Sequence, residues 1–272
     1  MNETKRSEAD AALDTSSRQE FVDYYTKESQ SEATRHRFES IRVKVLQLFD
    51  RMGTLPSQLS VLDIGCGAGT QCLLWASAGH RVSGVDINAP LVDLARQRAT
   101  EAGLTVDFRT GSATDLPFES ESMDVCLMPE LLEHVPDWQA CVLESVRTLR
   151  PGGILYLSTT NRLCPIQQEF RLPLYSWYPA FLKRHYVKLA TTTRPELVNH
   201  ARYPAVHWFT YYELSGFLMA TGLQCFDRFS MLDTRSRPVH VRMVALLLRN
   251  SSLLRFLGQI CSSGTAVYAV KR

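Results

Sequence analysis

The chain has 272 residues, with 30 Lys and Arg, 28 Asp and Glu and an ordinary globular composition, which suits one large domain. No apolar run approaches the ~20 residues that span a bilayer, and the polar first residues are unlike a signal peptide, so we expect a cytoplasmic protein. The seven cysteines are odd in number and form no Cys-x-x-Cys pair, which argues against a disulfide framework or a structural zinc site.

Charge is distributed unevenly along the chain. Residues 1–161 carry 15 Lys and Arg against 23 Asp and Glu, whereas residues 162–272 carry 15 against 5. This asymmetry indicates either an anionic substrate or surface that the C-terminal part meets, or a basic surface that is merely solvated.

The predicted elements begin after a polar tail. Residues 1–18 lack periodicity and are predicted to be a flexible tail, whereas residues 19–272 are predicted to form one domain. Apolar residues at helical spacing predict two helices up to Met52. Short apolar runs then alternate with helices: strands at SVLDIG, RVSGVD, TVDFRTG, MDVCLM and ILYLSTT, and helices at TQCLLWASAG, NAPLVDLARQRATEAG and PDWQACVLESVRTLRPGG. This alternation predicts an α/β fold with a parallel sheet between two layers of helices.

The regular alternation of strands and helices ends after the fifth predicted strand. Residues 162–208 are rich in proline and aromatic residues and too long for an ordinary connection, so they are predicted to form a functional insertion. A helix at TYYELSGFLMATG, a strand at QCFDRFSML, one helix at VRMVALLLRNSSLLRFLGQI and a strand at TAVYAVKR complete the chain. The count gives a mostly parallel seven-stranded sheet.

The first strand ends in a glycine-rich turn. Its sequence, VLDIGCGAG at residues 61–69, has glycines at alternate positions and an acid, Asp63, two residues before the first of them. A strand that ends in such a turn and leads into a helix lets a ligand approach the backbone closely. A dinucleotide turn, Gly-x-Gly-x-x-Gly, would need glycine where Thr70 stands, so that interpretation fails.

Segments downstream follow in the order and spacing of one family. Asp86 ends the second predicted strand, 23 residues after Asp63, and GSATDLPF, MDVCLMPELLEHVPDW, LRPGG and STTNR follow it. Together they resemble the class I S-adenosyl-L-methionine (SAM) dependent methyltransferases over about residues 36–161, and are most similar to the ubiquinone-biosynthesis O-methyltransferases and related enzymes. The resemblance implies a Rossmann-like class I fold, SAM as cofactor and methyl transfer to a small-molecule acceptor.

The resemblance also implies which residues bind the cofactor. Asp63 and the turn of Gly65, Gly67 and Gly69 would lie beside the methionine part of SAM, and Asp86 would bind the ribose hydroxyls. The remaining positions are Ile87 against adenine, Ala113 with its backbone N–H toward the ring, Ser112 where relatives have an aspartate, and Met128 in the fourth strand. A hydroxyl at Ser112 still accepts a hydrogen bond without charge assistance, and Asp115 is the alternative acceptor.

Methyl transfer to a hydroxyl needs alignment of the nucleophile and removal of its proton. His134 is the predicted base because its ordinary pKa of ~6.5 suits that role, with a structural histidine as the alternative. Of the nearby carboxylates, Glu130 is assigned to the site and Glu133 to structure. His207 is the alternative base, and positioning alone can supply most of the rate without any base.

The acceptor itself is predicted only by class. MPELLEHV stands where an Asn-Pro-Pro-Tyr motif would mark amine methylation, so we do not expect nucleic acid as a partner. Aromatic and basic residues alternate in the insertion, which predicts a pocket for a phenolic or lipid-linked acceptor or a peripheral membrane contact. The alternatives are a small aromatic core within the insertion, an RNA or protein methyltransferase, and a non-catalytic SAM-binding regulatory subunit.

Overall fold

The computed structural model describes residues 19–167, 170–198, 205, 207–234 and 238–272. The predicted tail at residues 1–18 lies outside the described residues, as do residues 168–169, 199–204 and 206 of the predicted insertion.

Two helices precede the sheet, as the periodicity predicts. Helix α1 spans Gln19–Glu28 and helix α2 spans Glu32–Met52. The Ser31 side chain caps α2 by accepting a hydrogen bond from the Thr34 N–H, and Gly53 ends the helix in the left-handed conformation at φ 67°.

The described residues form one seven-stranded sheet in the order β3-β2-β1-β4-β5-β7-β6. Its strands are β1 Ser60–Ile64, β2 Arg81–Asp86, β3 Asp107–Thr110, β4 Met123–Pro129, β5 Leu149–Thr160, β6 Leu223–Asp227 and β7 Gly264–Lys271. Only β7 runs antiparallel to its neighbours, so the prediction of a mostly parallel sheet is confirmed.

Helices cover both faces of this sheet, which explains why residues on both sides of each central strand are apolar. Three connecting helices follow the strands: α3 Thr70–Ala76, α4 Ala89–Glu101 and α5 Trp138–Thr148. Side chains of α2, α3 and α4 pack on one face in one core cluster. Side chains of α5 and of α7 (Tyr211–Ala220) pack on the other. The sheet edge at the strand ends is left for a site.

The insertion has a small core of its own. It contains helix α6 at Ala180–Thr192, flanked by short 3₁₀ turns at Tyr175–Trp177 and Pro195–Leu197. A separate cluster of buried side chains holds these pieces together: Phe170, Tyr175, Ala190 and Val198, with Tyr178, Tyr186 and Trp208 packed against them. The aromatic residues of the insertion are therefore largely used for packing.

The prediction of one helix at VRMVALLLRNSSLLRFLGQI is wrong. The chain forms two helices, α8 at Val239–Asn250 and α9 at Ser252–Ile260. Ser251 breaks them because it is extended, at φ −113° and ψ 115°, and its hydroxyl accepts a hydrogen bond from the Leu254 N–H at 3.3 Å. A serine that caps a helix in this way stops the preceding one.

Candidate cofactor and acceptor site

The first two parallel strands end side by side at one edge of the sheet. Val61 to Ile64 of β1 pair with Val82 to Val85 of β2, so the chain reaches Gly65 and Asp86 at the same level. The backbone N–H groups of Gly65 and Cys66 both donate to the Val85 carbonyl, at 2.8 and 3.0 Å. These bonds hold the glycine turn on the end of β2, where ligands bind in such folds.

Two of the three glycines make room for the protein itself. A Cβ at Gly69 would lie 2.8 Å from the Cβ of Ala95 and 2.9 Å from the ring of Phe108. A Cβ at Gly65 would lie 2.9 Å from a methyl group of Leu131. Both glycines are also left-handed, at φ 77° and 79°. The motif at these positions therefore serves packing of the turn against α4, β3 and the loop after β4.

Gly67 differs, because a Cβ there would meet nothing within 4 Å. Its φ of 49° is left-handed, which glycine adopts without strain. Its backbone N–H donates to Oδ2 of Asp86 at 2.8 Å. Gly67 therefore presents bare backbone toward open space beside a carboxylate.

Asp63 is a buried acid, and only one of its two carboxylate oxygens accepts a hydrogen bond within the described residues. Its side chain is 2% exposed, and the Cys72 thiol donates to Oδ2 at 3.4 Å. Among the described residues, Oδ1 has no hydrogen-bond partner. Burial raises the pKa of this carboxyl to about 7, against the lowering effect of the Cys72 hydrogen bond, and the Asp86 charge adds to the rise. The group is poised for a cationic or hydrogen-bond-donating ligand.

Asp86 is held from two sides by backbone. Its Oδ1 accepts from the Asn88 N–H at 2.8 Å, and its Oδ2 accepts from Gly67. Burial raises its pKa, while these N–H donors lower it. The adjacent Ile87 is 68% exposed, so most of its side chain is open to a ligand.

The remaining cofactor candidates differ from one another in what their side chains contact. The Ser112 hydroxyl lies 2.8 Å from the Thr114 hydroxyl and accepts from the Thr114 N–H, whereas Asp115 is exposed. Ala113 is half-buried against the core on the α5 face. Met128 is fully buried, and its sulfur lies 3.6 Å from the Cys141 thiol on α5, so its side chain does not reach the open edge.

Glu130 lies immediately after β4 in a left-handed conformation, at φ 54°. Its Oε1 accepts from the Ser158 hydroxyl at 2.8 Å, and its N–H donates to the Ser158 carbonyl at 2.8 Å. Ser158 in turn hydrogen-bonds Tyr156, whose pKa burial raises to about 12. Burial lowers the pKa of the nearby Arg228, an effect that the Glu130 charge offsets in part. Sequence reasoning missed this polar group because its members are far apart in the chain.

Both candidate histidines lie at the loop after β4. Burial lowers the pKa of His134 to about 4, and its imidazole has no hydrogen-bond partner in the described part of the chain. His207 reaches the same loop from the insertion: its N–H donates to the Glu133 carbonyl at 3.2 Å, and Nε2 lies 3.1 Å from the Pro136 carbonyl. Glu133 itself is 1% exposed.

His207 also lines an aromatic cavity of ≈ 480 Å³. Its other walls are Trp138, Trp208, Phe209, Glu213 and Phe217. The ring of Trp138 contacts those of Phe209 and Phe217, with centroids 5.2 and 5.0 Å apart. None of the candidate cofactor residues lines this cavity. The sheet edge with Asp63 and Asp86 and this cavity are separate features. The loop after β4 contacts both, because Leu131 lies beside Gly65 and the Glu133 carbonyl accepts from His207.

Comparison with known proteins finds matches for the part of the chain that contains the glycine turn. A family model described as a methyltransferase domain matches residues 62–157. A ubiquinone biosynthesis O-methyltransferase of Mesorhizobium japonicum is 36% identical over 135 residues, covering 47% of this chain and 54% of its own length. One of Xanthomonas axonopodis pv. citri is 42% identical over 108 residues, covering 39% and 45%. The chain thus spans about half the length of these curated relatives.

Solved structures agree in fold. The YcgJ protein of Bacillus subtilis superimposes with a TM-score of 0.53 at 20% identity, over 84% of this chain and 98% of its own. The [4+2]-cyclase SpnF gives 0.53 at 17% identity, over 89% and 84%, which shows that the fold alone does not specify the reaction. The family match and the glycine turn go further than the fold. Residues 62–157 of this chain are therefore similar to a methyltransferase domain, within a fold that its structural neighbours share.

Proposed function

We propose that the protein transfers the methyl group of SAM to an oxygen of a small-molecule acceptor, which is phenolic, quinol-like or lipid-linked. The observation that carries the proposal is the open backbone of Gly67, fixed beside the carboxylate of Asp86 by a 2.8 Å hydrogen bond. The relatives' name, ubiquinone biosynthesis O-methyltransferase, supports the acceptor class.

The residues at the sheet edge fit SAM. The unpartnered Oδ1 of Asp63 suits the cofactor's ammonium group, whose charge favours the ionised carboxyl. Asp86, already oriented by two backbone N–H groups, has lone pairs left for the ribose hydroxyls. The exposed side chain of Ile87 offers an apolar surface for adenine. In this proposal Ser112 and Ala113 contribute through their backbone, because the Ser112 hydroxyl is already paired with Thr114.

When bound, the cofactor supplies an electrophilic methyl group on a positively charged sulfur. Asp63, Asp86 and the Gly67 backbone would hold this cofactor, and transfer of its methyl group to the acceptor oxygen would leave a neutral thioether and a methyl ether. The chain must align the oxygen and dispose of its proton. His134 is neutral at pH 7 because burial keeps its pKa at about 4, so it can accept the proton, although only transiently. Glu130, oriented by Ser158, would position the hydroxyl.

Two measurements test the proposal. Titration calorimetry of the folded protein should show SAM binding and no NADH binding. Incubation with methyl-labelled SAM and a cell extract should then move label into a product extractable by organic solvent and stable to alkali, as an ether is and an ester is not. Binding of SAM without any labelled product would leave a SAM-binding regulatory subunit; label in RNA or protein would contradict the small-molecule assignment.

The proposal also includes a peripheral membrane contact through the insertion. Trp177 and Phe181 remain 56% and 62% exposed, and Arg184 is exposed beside them. Lys183 does not belong to this surface: its ammonium donates to the Ser176 carbonyl at 2.8 Å and lies 4.5 Å from the ring centre of Trp208. Burial lowers its pKa to about 8. Weaker flotation of Trp177→Ser/Phe181→Ser on anionic vesicles would support the contact, and unchanged flotation would exclude it.

A further inference from the structure

Helices α8 and α9 turn apolar stripes toward solvent. On α8 the exposed apolar side chains recur at helical spacing: Val239 at 69%, Met243 at 60%, Leu246 at 60% and Leu247 at 56%. On α9 they are Leu253 at 65%, Phe256 at 40% and Leu257 at 47%. Spacing of three and four residues places each set on one face of its helix. Such a stripe ordinarily faces a core, but here it faces outward.

The opposite side of each helix meets the body of the protein. Ala245 is the buried side chain of α8 and Gln259 that of α9, within the described residues. Gly258 packs so closely on Phe229 that a Cβ would lie 2.6 Å from the ring. The Gln259 carbonyl accepts from the Asn161 side chain at 2.7 Å. The pair is thus fixed in an orientation that leaves the seven apolar side chains of the two stripes outside.

Arginine side chains fix the pair to the body of the protein and its two helices to each other. Nε of Arg249 donates to the Phe229 carbonyl at 3.3 Å, and Nε of Arg255 donates to the Leu248 carbonyl at 3.1 Å. Arg255 also lies 3.8 Å from the buried carboxylate of Asp227. The outward orientation therefore rests on specific contacts and does not need the stripes to be covered.

The charge of the pair is of one sign. Residues 238–262 contain Arg242, Arg249 and Arg255 and no Asp or Glu. Arg242 is exposed and forms no ion pair within the described residues. Basic residues beside an exposed aliphatic stripe are the composition of helices that lie in the plane of an anionic membrane surface. No helix in the described part of the chain is long and apolar enough to cross a membrane.

We propose that α8 and α9 lie on an anionic lipid bilayer, with Met243, Leu246 and Leu247 among the inserted side chains and Arg242 at the headgroups. A second copy of the chain fits this face less well. A two-fold contact pairs a surface with itself, and this surface would bring Arg242 of two copies together with no Asp or Glu in residues 238–262 to neutralise them. The proposal does not depend on methyl transfer or on the insertion.

Flotation of the full chain with vesicles tests the docking. On vesicles of phosphatidylcholine with about a quarter phosphatidylglycerol, at low salt, the wild type should float, and on phosphatidylcholine alone it should float poorly. Leu246→Gln/Leu247→Gln should reduce partitioning by about tenfold for each side chain that inserts. Arg242→Gln should reduce it by about fivefold on anionic vesicles only.

A matched control is Leu55→Gln/Leu143→Gln, which changes two leucines that are each 48% exposed elsewhere on the surface. It should float like the wild type, and all variants should melt and bind SAM normally, which separates this inference from the proposed function. If the wild type stays soluble, or if the Leu246/Leu247 variant floats unchanged, the bilayer is not the partner. Loss of a dimer in that variant by light scattering, without any flotation, would assign the face to a second copy.

Discussion

The N–H of Gly67 donates to Asp86 Oδ2 at 2.8 Å and joins the glycine turn to the end of the second strand. The bond fixes the orientation of the carboxylate before any ligand arrives. It also fixes the only one of the three turn glycines whose missing Cβ leaves open space. A preorganised acceptor loses less conformational entropy when it binds, so the pair should contribute strongly to cofactor affinity.

The first prediction concerns Asp86. Asp86→Ala should weaken SAM binding by ~1.5–3 kcal/mol, because charge-assisted hydrogen bonds to the ribose are lost. Calorimetry on folded protein measures the change. Asp93→Ala removes a carboxylate that is 71% exposed and paired with Arg96 on the surface, so it is the control and should bind SAM normally. Equal affinity in the Asp86 variant and the wild type would refute the ribose assignment.

The second prediction separates the glycines by role. Gly69→Ala should lower the free energy of unfolding by about 1–3 kcal/mol through overpacking against Ala95 and Phe108, in addition to about 1–2 kcal/mol for its left-handed backbone. Gly67→Ala should show only the backbone cost, yet reduce SAM affinity because a methyl group enters the ligand's space. Urea unfolding and calorimetry measure the two effects.

Gly103→Ala is the control for that comparison. Gly103 has φ 65° and nothing within 4 Å of its missing Cβ, so it isolates the cost of the left-handed backbone away from the site. If Gly67→Ala binds SAM as well as Gly103→Ala does, no ligand lies against Gly67.

The sequence predicts the sheet well because its signals are local. Asn88 caps α4 through Leu91, as the Asn-x-Pro start of that helix indicates, and the apolar runs of β1 to β5 all form strands. The break at Ser251 was missed because an uninterrupted periodic pattern outweighed a single capping serine. Propensity cannot show that α8 and α9 expose their apolar faces, since exposure depends on Phe229 and Asn161, which are distant in the chain.

The positions of the cofactor candidates are predictable from the sequence, whereas the contacts around the acceptor-site candidates are predictable only in part. Asp63 and Asp86 follow directly from strand ends, where topology brings residues together. The Ser158 hydroxyl beside Glu130 and the Pro136 carbonyl beside His207 join segments that no spacing rule connects. The lowered pKa of His134 likewise cannot be predicted from the sequence, because it follows from burial in the folded protein.

The third prediction concerns the base. If His134 takes the acceptor proton, His134→Ala should lower turnover by ~10²–10⁴ while SAM affinity stays near normal. Because burial holds the pKa of His134 at about 4, its imidazole stays unprotonated, and the wild-type rate should not fall until the pH is well below 6. His185→Ala, on the exposed surface of α6, is the control. Wild-type turnover in His134→Ala would exclude His134 as the base. His207→Ala would then be the next variant to measure.

The fourth prediction concerns the pH dependence of stability. The pKa of Asp63 rises from 3.8 to about 7 in the folded protein, so the folded state holds a proton that the unfolded state releases between these values. The contribution of Asp63 to the free energy of unfolding should therefore be greatest below about pH 4, and it should fall as the pH rises toward 7. Asp63→Asn should remove that slope. Urea unfolding of both proteins from pH 5 to pH 8 measures it.

The same carboxyl should link SAM binding to protons. The ammonium of the cofactor favours the ionised form of Asp63, so binding below about pH 7 should release the proton that burial retains there. Affinity should consequently weaken as pH falls from 7 to 5. Calorimetry at pH 6 in two buffers of different ionisation enthalpy gives the number of protons released on binding. Asp63 should contribute close to one proton in the wild type, and Asp63→Asn should release about one proton fewer. Because any proton linkage of the cofactor itself is common to both proteins, the difference between them belongs to Asp63. Identical proton release in the two proteins would mean that the free oxygen of Asp63 does not face the cofactor's ammonium group.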